Sequence, residues 1–93
     1  MRILTLKVEL GTGHVAIVRG REAWALMELL ATGPAGCSVF DIRAPRWSSY
    51  VHKLRKLGFM IDTVPERHRG RFPGYHARYV LREQVIILDD VGC

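Results

Sequence analysis

Cysteine is scarce in this chain. Cys37 and Cys93 are the two in 93 residues, and they form no CxxC pair. That excludes a disulfide-dense scaffold and a cysteine-based zinc site, and both are expected to be free thiols. Long apolar runs are missing too. None approaches the ~20 residues that span a bilayer. The opening stretch Ile3–Leu10 is interrupted by Lys7 and Glu9, unlike a secretory signal. The expected setting is therefore cytoplasmic, with no membrane partner. Catalytic signatures are absent as well. The four histidines, His14, His52, His68 and His76, fall in no HxxxH or HExxH spacing, and no GxSxG or Walker-type loop occurs. Gly11-Thr12-Gly13 is too short to cradle phosphate and reads as a turn. Cys37 reads as a small core residue rather than a nucleophile. The expectation is a protein that is not an enzyme, with no catalytic residue, metal, cofactor or small-molecule substrate.

Acids are thin where bases are dense. Between Arg43 and Arg82 ten Lys and Arg residues face only Asp62 and Glu66, a net charge of +8, while the remainder of the chain carries −3. Charge segregated this way is the electrostatic footprint of a polyanion-binding surface.

Hydrophobic patterning supplies the elements. Leu4, Leu6, Val8 and Leu10 alternate with Thr5, Lys7 and Glu9, which predicts a strand with one apolar face. The Gly11–Gly13 turn and His14–Arg19 complete a hairpin. Ala23, Leu26, Met27, Leu30 and Ala31 recur at helical spacing over Arg21–Thr32, and Gly33-Pro34 ends that helix. Ser38, followed three residues on by Asp41, predicts a capped short helix over about Val39–Arg43. Pro45 fits the first position of a third helix, 45–57, which Gly58 stops. Phe59–Val64 alternates as a strand. The segment 65–74, with Pro65, Pro73, Gly70 and Gly74, reads as a loop, and Tyr75–Arg82 alternates again. Val85–Leu88 reads as a last strand, and Asp89-Asp90 as a solvated tail. Trp24, Trp47, Tyr75 and Tyr79 are expected in the core or in cross-strand packing.

Hairpin, helix, short helix, helix, strand, loop, strand is an α+β order. It predicts a winged helix-turn-helix: three helices plus a β-hairpin wing, with an extra N-terminal β-hairpin. The runs Gly20-Arg21-Glu22-Ala23-Trp24-Ala25-Leu26, Gly33-Pro34-Ala35-Gly36, Ala44-Pro45-Arg46-Trp47-Ser48-Ser49-Tyr50-Val51-His52-Lys53-Leu54-Arg55 and Gly74-Tyr75-His76-Ala77-Arg78-Tyr79-Val80-Leu81 resemble small bacterial and prophage-associated winged-helix domain proteins. The resemblance covers residues 20–82 and implies the fold more specifically than any biochemical role. One domain over 1–93 is expected: hairpin 1–19, winged-helix core 20–82, and C-terminal strand or tail 83–93.

Wound at 100° per residue, helix 45–57 puts Trp47, Tyr50, Val51, Leu54 and Leu57 on one side. Ser48, Ser49, His52 and Lys56 lie opposite, flanked by Lys53 and Arg55, with Arg46 in the first turn. The helix holds no acid. Small polar groups and cations reach base edges and phosphates, and the second helix of a helix-turn-helix is the one that enters the major groove. In the wing, Arg67, Arg69 and Arg71 alternate near the tip and suit phosphate or a narrow minor groove. Arg78 and Arg82 either extend this phosphate track or pair with Glu66 and Asp62. The expected function is duplex DNA binding, as a transcriptional regulator. The alternative is a protein-interaction module, in which the N-terminal hairpin and 85–88 offer edges for docking or for a homodimer. Structured or single-stranded RNA is a third reading.

Overall fold

The computed structural model describes residues 4–38, 46–68 and 74–92. The expected short helix 39–43, Pro45, the wing tip 69–73 with Arg69 and Arg71, and Cys93 lie outside the described residues. Among those described, six strands and two α-helices follow the order β1 (Leu4–Glu9), β2 (Val15–Arg19), α1 (Arg21–Thr32), β3 (Cys37–Ser38), α2 (Trp47–Lys56), β4 (Ile61–His68), β5 (Gly74–Leu81), β6 (Ile86–Gly92). No helix among them is long and apolar enough to cross a membrane.

The strands form two antiparallel sheets, ordered β2-β1-β6 and β3-β5-β4. In the first, the alternation of β1 buries Leu6, Val8 and Leu10, and β2 adds Ala16 and Val18. Both helices lie against this surface and the second sheet. Ala23, Ala25, Leu26 and Leu29 of α1 meet Trp47, Val51 and Leu54 of α2, with Cys37, Phe59 and Ile61 completing one cluster. The tilted pair Trp24–Trp47 (ring centroids 5.6 Å apart) and the stacked pair Trp47–Tyr79 (6.4 Å) fasten the start of α2 to α1 and β5.

Several expectations are corrected. The buried face of α1 includes Ala25 and Leu29, while Met27 is exposed. Two sheets and a second helix surround α1, so its apolar stripe is wider than one face. Helix α2 starts at Trp47 with Arg46 as its N-cap residue and ends at Lys56, shorter than 45–57 at both ends, and Leu57 is exposed just beyond it. Ser38 is not in a helix-capping loop: it is fully buried in β3, opposite Arg78 of β5. Two residues are too few to show a strand period, so β3 left no pattern.

Gly36 makes that pairing possible. Its φ is +72°, and a Cβ there would stand 2.6 Å from the Tyr79 carbonyl oxygen, so a side chain would push β3 off β5.

The segment 65–74 is mostly strand rather than loop, since β4 continues through Pro65, Glu66 and Arg67 to His68. The pairing explains how Pro65 is tolerated. The Arg82 amide donates to the Met60 carbonyl (2.8 Å), so even-numbered residues of β4 face β5. Pro65 then turns its nitrogen to the open edge, where no donor is needed. Tyr75 is 72% exposed, not packed, because the hairpin has by then run past the core. Asp89 and Asp90 are not a tail. They lie in β6, opposite Lys7 and Leu6 of β1. Strand β1 is thus central, and the N-terminal hairpin offers only β2 as an edge.

Candidate nucleic-acid interface

Helix α2 is amphipathic for a simple reason: its apolar residues follow the helical period and its remaining positions are Ser, His, Lys and Arg. Trp47, Val51 and Leu54 are buried, so the opposite side is turned to solvent. Ser48, His52 and Lys56 are exposed there, Ser49 is half-buried, and Arg46 is exposed at the N-terminus. Among the described residues none of these five side chains has a hydrogen-bond or ion-pair partner. The first turn carries no acid and no side-chain cap, while Lys53, Arg55 and Lys56 fill the last turn. Their position complements the helix dipole.

Three predicted site residues are engaged within the chain. Lys53 Nζ lies 3.0 Å from Glu22 Oε1 of α1. Burial raises the pKa of Glu22, but the Lys53 hydrogen bond, a backbone bond and the Lys53 charge outweigh it, and the net shift is downward. The pair is exposed on the Lys53 side, so it ties the helices weakly. Arg55 turns away from the helix face. Its Nε and Nη2 donate to the Ile61 carbonyl (3.0 and 2.6 Å), and Nη2 also donates to Thr63 Oγ1 (2.8 Å). These bonds satisfy one outward carbonyl of the β4 edge and tie the wing to α2.

Arg78 is the most heavily engaged. Its Nε and Nη2 fork onto Glu66 (2.5 and 2.9 Å). Its Nη1 donates to the carbonyls of Ala35 and Gly36 (3.1 and 3.3 Å). His76 Nε2 lies 2.9 Å from the same carboxylate. The Arg78 hydrogen bonds, helped by His76 and by the charges of both, outweigh the desolvation of the Glu66 carboxyl and pull it down to about 2. Of the two roles left open for Arg78 and Arg82, the structure takes pairing: Arg82 Nε donates to Asp62 Oδ2 at 2.9 Å. Arg67 is exposed on β4, opposite Tyr75.

Sequence reasoning missed Arg21. At the first position of α1 it lines a cleft of about 430 Å³ with Glu22, Arg46, Ser49, Tyr50 and Lys53. The helical period of α1 made Arg21 look like an ordinary exposed terminus, and only the crossing of the two helices brings it beside Arg46. Glu83 was missed too. One oxygen accepts from the Gly11 amide (2.8 Å) and the other from the Met60 amide (2.5 Å), joining the β1–β2 turn to the entrance of β4. Among the described residues, no three His, Cys, Asp or Glu side chains gather as a metal site. Cys37 is fully buried, with Sγ 3.2 Å from Thr32 Oγ1.

Comparison with curated proteins and with solved structures finds no match. A family model described as a winged helix domain matches residues 15–91. That match is wider than the 20–82 stretch of the sequence resemblance, and it takes in β2 and most of β6. The chain belongs to the winged helix domain family.

Proposed function

We propose that this winged helix domain binds duplex DNA as a transcriptional regulator and is not an enzyme. In this reading α2 lies in the major groove. Ser48, Ser49, His52 and Lys56 meet base edges, and Arg46 holds a phosphate. The wing, with Arg67, Arg69 and Arg71, follows the backbone or the minor groove. Arg78 leaves the list of direct contacts and becomes a positioning residue, because its Nε, Nη1 and Nη2 donate to Glu66 and the Ala35–Gly36 carbonyls; Arg55 positions the wing through Nε and Nη2 and keeps Nη1 for a phosphate. Lys53 stays available to a phosphate at small cost, since its tie to Glu22 is an exposed one.

The observation that carries the reading is the unpartnered, acid-free outer face of α2. A helix stabilised only by its own fold gains nothing from lacking acids in its first turn, where a carboxylate is favoured. A polyanion approaching that end explains the omission.

Fluorescence anisotropy with a labelled mixed-sequence duplex tests the reading. If about six phosphates are contacted, affinity falls roughly a thousandfold between 50 and 200 mM salt. Ser49→Ala, His52→Ala and Lys56→Ala change which sequences are retained in a selection from random duplexes. Absence of binding at 50 mM salt rejects the proposal.

A further inference from the structure

Among the described residues each three-stranded sheet has two edges, and three of the four are blunted. Strand β3 is two residues long there. On β4, Arg55 occupies the Ile61 carbonyl and Pro65 has no donor. On β6, the pairing with β1 shifts register beside Leu88, and Asp89 is exposed. Short length, proline, bulges and charge are the usual means of blunting an edge. Strand β2 has neither a proline nor a bulge, and its single charged residue, Arg19, stands at its end.

The backbone bonds say which groups of β2 are free. The Leu10 amide donates to the His14 carbonyl, and the Gly20 amide donates to the Leu4 carbonyl, both at 2.8 Å. With the register Lys7↔Ile17, even-numbered residues of this segment therefore bond to β1. The N–H and C=O groups of Val15, Ile17 and Arg19 point outward. On the outer face Val15 is 42% and Ile17 51% exposed. Beside the edge runs a groove of about 280 Å³, in which Ile17, Val18 and Leu57 meet the side chains of Arg19, Glu22, Lys53 and Lys56.

We propose that β2 pairs antiparallel with β2 of a second copy of this chain, about a twofold axis through Ile17. The register follows from the free groups. Centring on Ile17 sets Ile17 against Ile17 and Val15 against Arg19 in both directions, so all six outward N–H groups donate to the six outward carbonyls. Shifting the axis to Ala16 leaves two of those donors without partners. Charge fits the same register. Glu9 is the β1 partner of Val15, so the partner's Arg19 lies two strand spacings, about 10 Å, from Glu9 on the same face. A long arginine spans that distance over the Val15 side chain. The apolar row and the cation–carboxylate match are both self-complementary, as an isologous interface requires. The axis is perpendicular to the joint six-stranded sheet, so both α2 helices lie on one side of it. The inference rests on the edge and not on DNA binding.

Sedimentation equilibrium of the full chain without DNA tests it. The wild type approaches twice the chain mass as its concentration rises to about 100 µM. Ile17→Pro deletes one outward donor and no β1 bond, and it weakens association at least tenfold with an unchanged circular dichroism spectrum. If that variant unfolds, Ile17→Lys gives the same reading through repulsion at the axis. Arg19→Glu weakens association, and adding Glu9→Arg restores it. Leu88→Lys on β6 leaves the dimer intact. A wild type that stays monomeric at 100 µM, or a dimer lost through Leu88→Lys and kept in Ile17→Lys, overturns the proposal.

Discussion

The sheets β2-β1-β6 and β3-β5-β4 have three strands each, yet different forces hold them. The first is sealed by apolar contact: Leu6, Val8, Leu10, Ala16 and Val18 are all buried under the helices. The second buries Cys37, Ile61 and Val80, and from its base outward it adds polar ties. Arg55 grips the β4 edge, Arg78 binds Glu66 and the Ala35–Gly36 carbonyls, and Arg82 meets Asp62. A hairpin that projects past the core cannot be fixed by burial. It is fixed by charge-assisted hydrogen bonds, which are directional and depend on protonation. The apolar contacts of the first sheet thereby depend little on protonation, and the ties of the wing depend on it directly.

The largest expected effect tests the scaffold side of this contrast. Leu6→Ala removes a fully buried side chain from the centre of the first sheet. Its cost is about 2–5 kcal/mol, read as a lower denaturant midpoint for all spectroscopic probes together. A loss confined to one probe would mean that the two sheets unfold separately.

Next comes Arg78→Ala. It orphans the Gly36 carbonyl and frees Glu66, at a cost of about 1–2 kcal/mol from the unmet hydrogen bonds. The loss is concentrated in β3, β4 and β5, so amide exchange accelerates there and β1 stays protected. Uniform acceleration in both sheets would break the contrast.

The smallest effect is acid sensitivity. The folded Glu66 carboxyl sits at about 2, against an ordinary 4.5. A depressed carboxyl stabilises the fold fully above its unfolded value. That contribution fades as pH drops from about 4.5 to about 2. Amide exchange in β4 and β5 therefore rises in that window, relative to β1. Glu66→Gln flattens this response; an unflattened response assigns the acid sensitivity to another group.

Legibility from sequence follows the same division. Burial writes a period, so β1, β2, α1, α2 and β5 were readable within a few residues. The basic, acid-free character of α2 was readable for the same reason, because its apolar residues define which side is left. Directional ties write none. That Arg55 and Arg78 turn inward depends on carbonyls contributed by Ile61, Ala35 and Gly36, and nothing in local sequence marks a carbonyl as unmet. The two-residue β3 and the pairing of β6 with β1 arise from partners far along the chain. Pro65 misled because a proline inside an alternating run signals a break unless its nitrogen faces an open edge. Tyr75 misled because alternation does not say where the core stops.

The Glu83 carboxylate, bonded to Gly11 on one side and Met60 on the other, has a practical bearing on how this fold can be dissected. Trimming the chain to Arg21 onward would strip β1 and β2, uncover the apolar sides of both helices and leave Glu83 without its Gly11 donor. The hairpin that precedes the helices is therefore a wall of the interior, and the smallest autonomous unit of this winged helix includes it.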